Sequence, residues 1–103
     1  MEAQIKKGIL EMCVLHLISQ KEIYGYDVMR RLRTNFPEVN ESTFYSILRR
    51  LHNDGNAEVF LREGAGGPAR KYYAITDAGR RELAHSINIW MHIRGEVDKI
   101  LST

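Results

Sequence analysis

Six polar residues in one short stretch, Ser42, Thr43, Tyr45, Ser46, Arg49 and Arg50, interleave with the apolar Phe44, Ile47, Leu48 and Leu51. At about 100° per residue the apolar four fall in one sector of a helix. Ser42, Ser46, Arg49 and Asn53 fall opposite, flanked by Tyr45 and Arg50. Hydroxyls and guanidiniums in that order are donors for phosphate oxygens and base edges. Arg49 has the reach and fork geometry for a guanine edge, while Ser42 and Thr43 suit phosphate near the helix N-terminus. Glu41 would repel a phosphate, so it either faces away or accepts from a cytosine amine. Downstream, Arg62, Arg70 and Lys71 flank Gly64-Ala65-Gly66-Gly67-Pro68-Ala69. Cations beside a loop of little side-chain bulk fit a phosphate backbone or a minor groove, with salt-dependent affinity. A nucleotide-binding glycine loop is the rival reading. It requires a helix N-terminus directly after the glycines, and here Pro68 and a β-rich run follow.

Elements that hold these residues can be read from the same pattern. The first helix spans Ala3 to about Gln20, with two interleaved apolar stripes that bury it on more than one side. Tyr24-Gly25-Tyr26-Asp27 reads as a turn into a second helix ending near Asn35, with Val28, Met29 and Leu32 inward and Arg30, Arg31 and Thr34 outward. Phe36-Pro37 ends it, because a residue before proline is pushed out of the helical region. Asn40 is placed to cap the third helix, and Asp54-Gly55 closes it. Ala57 to Glu63 and Arg70 to Ile75 form a β-hairpin in which Tyr72 and Tyr73 alternate between core and surface. Thr76 caps a last helix running to about Leu101. The predicted fold class is mostly α with a small β-hairpin, a winged helix-turn-helix followed by a long C-terminal helix. One domain covers residues 1–103, with a nucleic-acid-binding region over 3–75 and a dimerisation helix over 76–101.

Charge distribution points the same way. Between Arg30 and Arg81 ten basic residues face six acidic ones, although the whole chain of 103 residues carries only +2. A basic middle between acidic ends suits a nucleic-acid face backed by a partner face. The single cysteine, Cys13, lies in an apolar run, which excludes an internal disulfide and a cysteine-rich metal site. No secretion signal is evident, and no apolar run approaches the roughly 20 residues that span a bilayer. A cytoplasmic protein without membrane contact is expected. His85 and His92 lack a third ligand at suitable spacing, so no metal is expected. Neither a nucleophile elbow nor a paired catalytic carboxylate motif occurs, so no catalytic residue and no cofactor are assigned, and an enzyme is not expected.

Along the last helix Leu83, Ile87, Trp90, Val97 and Leu101 follow a 4-3 spacing broken only by Arg94. A helix of roughly 35–40 Å, at 1.5 Å per residue, projects beyond a small domain. Its apolar seam needs a partner, and a second copy of the chain is the simplest. Ile5 and Ile9 of the first helix join that expected dimer interface. Met12, Ile87, Trp90 and Met91 could line a site for a small aromatic effector at the dimer centre, although ordinary interface packing is the favoured use of Trp90.

Tyr24-Gly25-Tyr26, the run Ser42 to Leu51 with Gly55, and Gly67-Pro68-Ala69-Arg70-Lys71-Tyr72-Tyr73-Ala74-Ile75-Thr76 with Gly79-Arg80 resemble the PadR family of bacterial transcriptional regulators. The resemblance runs from about Lys7 to Leu83, and the length is similar to the short subfamily with a single C-terminal helix. Two residues depart from the family pattern: Phe44 stands where an aliphatic side chain is common, and Asn56 where an apolar one is usual. The resemblance implies a homodimeric winged helix-turn-helix repressor on a pseudo-palindromic operator, released by a small molecule. Two alternatives come from other classes. One is a winged-helix adaptor whose basic face meets an acidic protein, and the other is a small-molecule carrier with no DNA role.

Overall fold

The computed structural model describes residues 3–64 and 66–103, with side chains from residue 6 onward. In chain order the elements are α1 (Ala3–Gln20), β1 (Ile23–Tyr24), α2 (Gly25–Asn35), α3 (Glu41–Asn53), β2 (Ala57–Arg62), β3 (Arg70–Ile75) and α4 (Asp77–Leu101). The helices form where apolar periodicity places them. Leu10, Val14, Leu15, Leu17 and Ile18 of α1 meet Val28, Met29 and Leu32 of α2 and Phe44, Ile47, Leu48 and Leu51 of α3 in one core. Burying each of these side chains contributes about 1.5–3 kcal/mol, so the polar back of α3 is held outward by the cost of turning the helix over.

The hairpin of the sequence reading is one part of a three-stranded antiparallel sheet in the order β1-β3-β2. β1 stands where a turn was expected, with Ile23 opposite Tyr73 and Tyr24 opposite Tyr72. Two residues cannot show a strand period; what makes them a strand is the free edge of β3, supplied by a segment some fifty positions away. Tyr73 is buried and Tyr72 half-buried, as alternation requires. The outer face carries Phe60, Tyr72 and Tyr24 in one row across all three strands.

Asn40 occupies the N-cap position of α3, but its side chain makes no cap hydrogen bond. Its backbone carbonyl accepts from Thr43 N at 3.1 Å instead. Arg33 ties the α2–α3 connection: Nε donates to the Val39 carbonyl at 3.0 Å and Nη2 to that of Pro37 at 3.3 Å. Gly55 ends α3 in the left-handed region at φ +79°. Asn56, one of the two departures from the family pattern, works through its backbone. Its N donates to the Leu51 carbonyl at 2.8 Å, and its own carbonyl accepts from Thr76 N at 3.2 Å. Thr76 Oγ1 donates to the Gly55 carbonyl at 2.6 Å and accepts from Gly79 N at 3.0 Å, so one hydroxyl caps α4 and ties it to the end of α3.

Leu83 is buried and Ile87 packs against the core, but from Ile89 onward every residue of α4 is exposed. The helix reaches out of a molecule measuring 58 × 30 × 20 Å. Among the described residues no helix is long and apolar enough to cross a membrane, and no group of three His, Cys, Asp or Glu side chains could hold a metal ion.

Candidate nucleic-acid interface

α3 presents Ser42, Tyr45, Ser46 and Arg49 to solvent, while Thr43 and Arg50 are half-buried. Tyr45 and Arg49 form one wall of an open cleft of about 490 Å³, and Ala69, Arg70 and Lys71 of the wing form the other. Tyr24, Gly25 and Tyr26 close its end, and His52 lines its rim. Gly25 packs closely there: a Cβ would lie 3.1 Å from the Tyr73 ring, which would have to give by a few tenths of an ångström. Partial burial, with the Glu41 charge second, raises the phenol pKa of Tyr45, and burial raises that of Tyr73 against the opposing charge of Arg49. Both phenols therefore remain hydrogen-bond donors at neutral pH, alongside a guanidinium and an ammonium. A cleft walled by donors and cations is complementary to a phosphate chain, and the exposed α3 surface beside it is free to meet base edges.

Geometry divides the basic residues read from the sequence into two groups. Arg49 and Lys71 take part in no ion pair among the described residues. Arg70 lies 4.9 Å over the ring of Tyr24, which fixes its direction and leaves its charge available. Arg50 differs from expectation: it forms an ion pair with Glu11 of α1 and ties α3 down. Arg62 also differs, since its Nε and Nη2 donate to Oε1 and Oε2 of Glu22 at 2.8 and 2.9 Å. That pairing holds the Glu22 carboxyl below the usual carboxylate range. Glu41 faces Arg33 at 3.5 Å, which partly offsets its charge, although that charge still reaches Tyr45. Sequence reading missed Tyr24, Tyr26 and His52 as cleft residues. The Tyr-Gly-Tyr motif was visible, but without β1 there was no reason to bring it beside Arg70.

A second cleft, also about 490 Å³ but apolar, lies between α1 and α4, lined by Gly8, Ile9, Met12, Ser86, Ile89, Trp90 and Ile93. It brings together Ile9, Met12 and Trp90 from the expected interface and effector residues. Ile87 turns instead to the core, and Met91 is exposed away from the cleft. Leu83 is buried within its own chain and is not available to a partner. Val97 and Leu101 are exposed farther along α4, and the side chain of Ile5 lies outside the described residues. Ile89, Ile93 and Ile100, outside the expected seam, are exposed as well. Of the expected seam on α4, Leu83 and Ile87 reach the core, whereas Trp90, Val97 and Leu101 are exposed.

The description "Transcriptional regulator PadR-like family" belongs to the family model that residues 14–85 match. The fold is similar to a PadR-like transcriptional regulator from Bacillus cereus strain ATCC 14579, with 36% identity, a TM-score of 0.86, and coverage of 98% of this chain and 99% of that one. A Streptococcus transcriptional regulator is 32% identical over 96% of this chain and 98% of its own, with a TM-score of 0.85. An uncharacterized protein of Lysinibacillus sphaericus is 30% identical over 99 residues, 93% of this chain and 91% of its own length.

Proposed function

The chain belongs to the transcriptional regulator PadR-like family, and on that premise we propose that it is a sequence-specific, homodimeric DNA-binding repressor. The observation that carries this reading is the cleft between α3 and the wing, lined by Arg49 on one side and Lys71 on the other with neither in an ion pair among the described residues. In the complex α3 enters the major groove, where Arg49 meets a base edge and Ser42, Thr43, Tyr45 and Ser46 meet bases or phosphates. Arg70 and Lys71 follow the backbone. Dimerisation through α4 and the α1 of a second copy sets two α3 helices about 34–36 Å apart, one helical turn of DNA. A small aromatic effector entering the cleft at Trp90 changes the dimer geometry and shifts the population away from the DNA-binding form.

The test uses a duplex selected by the protein from a random-sequence pool, titrated at fixed salt. Arg49→Ala is expected to weaken binding to that duplex by about 1–3 kcal/mol and to relax the sequence preference at one position of each half-site. Unchanged affinity would rule out α3 as the reading helix. Lys71→Ala should weaken binding to every duplex alike and reduce the slope of log affinity against log salt by about 0.9. A loss confined to one sequence would place Lys71 at a base instead.

A further inference from the structure

Glu22, the residue before β1, does not line the cleft between α3 and the wing, yet both its carboxylate oxygens are held by the wing's Arg62, at 2.8 and 2.9 Å. The β2–β3 register sets Arg62 directly opposite Arg70 at the root of the wing loop, and like charges in that relation repel. The structure separates them. Arg70 is drawn over Tyr24 at 4.9 Å, and Arg62 lies 5.6 Å over Phe60 with its guanidinium fork on Glu22. Two carboxylate oxygens accept from that fork as two phosphate oxygens would. The Arg62 side chain is 55% exposed and Glu22 29%, and ion pairs open to solvent are weak enough to exchange partners.

We propose that Glu22 is an internal competitor for DNA phosphate, which holds Arg62 against the outer face of the sheet so that a duplex gains this contact only by displacing the carboxylate. The proposal rests on the DNA-binding reading above and deepens it. The wing's contribution is the same for every sequence, so a competitor that holds it down leaves more of the binding to α3. Non-operator DNA, which offers α3 little, then retains the protein less well.

The full chain, as wild type, Glu22→Gln, Arg62→Ala and the double variant, is titrated by fluorescence anisotropy with a mixed-sequence duplex over a range of sodium chloride concentrations. Glu22→Gln is expected to tighten binding severalfold at low salt and to steepen the log–log salt slope by about 0.9, the signature of one added phosphate contact. In the Arg62→Ala background the same substitution is expected to leave the slope where Arg62→Ala set it. Glu22→Ala should reproduce the steeper slope, and because the expected result is a gain, a damaged fold cannot imitate it. An unchanged slope in both Glu22 variants overturns the proposal. So does an equal gain with and without Arg62, which would make Glu22 a plain repulsive charge. A wild type with no salt-dependent affinity for any duplex is a different result, and it removes the DNA-binding reading together with this inference.

Discussion

Replacing Ile93 by aspartate is expected to raise the self-dissociation constant at least a hundredfold and to lower operator affinity with it. Ile93 is 50% exposed and lines the apolar cleft with Ile9, Met12, Ile89 and Trp90. Val97, Ile100 and Leu101 continue the exposed stripe toward the end of α4. Covering the exposed half of an isoleucine contributes about 0.8–1.5 kcal/mol, and a two-fold interface contains each position twice. A carboxylate left unpaired there adds a desolvation cost, so a hundredfold change, about 2.8 kcal/mol, is a lower bound. A monomer reaches one half-site only. Sedimentation equilibrium and titration of the selected duplex check the two effects separately. A variant that stays dimeric would place the interface elsewhere, and one that dissociates without losing affinity would contradict the paired-site geometry.

Gly79→Ala is expected to cost about 2–3 kcal/mol of stability, although alanine is intrinsically the better helix residue by up to about 1 kcal/mol. A Cβ at Gly79 would overlap the Asn56 carbonyl oxygen and lie 2.7 Å from Ile75 Cγ1. Backbone cannot move aside as a flexible side-chain tip can. That carbonyl also accepts from Thr76 N, so giving way would break the joint between α3, β3 and α4. Urea unfolding of both proteins at equal concentration measures the difference. An alanine variant as stable as the wild type would mean that the joint has slack, and α4 could then swing relative to the wing.

Arg33 illustrates why part of the site was not legible. Its sequence context marks it only as one of several arginines on α2, yet it anchors Val39 and Pro37 and faces Glu41. The α3 pattern, by contrast, was readable to the residue: Phe44, Ile47, Leu48 and Leu51 are buried, and Ser42, Ser46 and Arg49 are exposed. The Thr76 cap and the left-handed Gly55 were also readable, since both obey rules that operate within a few residues. Along α4 one periodic series meets two surroundings. Leu83 and Ile87 belong to the core, while Ile89, Ile93 and Ile100 share the open side with Trp90 and Val97. Periodicity says which side chains align, not what stands opposite them.

Helical periods, the Thr76 cap and the order of the helices were written in the chain, because each depends on neighbours a turn or two apart, whereas the Asn40 side chain left its cap unmade. The third strand and the fate of each arginine were settled by distant segments meeting. Arg50 finds Glu11 across 39 positions, and Arg62 finds Glu22 across 40. Ion pairs of that kind leave no local trace, since a charge in the sequence is free until the fold supplies its counter-charge. The basic stretch therefore showed where cations gather, and folding determined that Arg49, Arg70 and Lys71 stay outside the ion pairs of the described residues while Arg50 and Arg62 enter them.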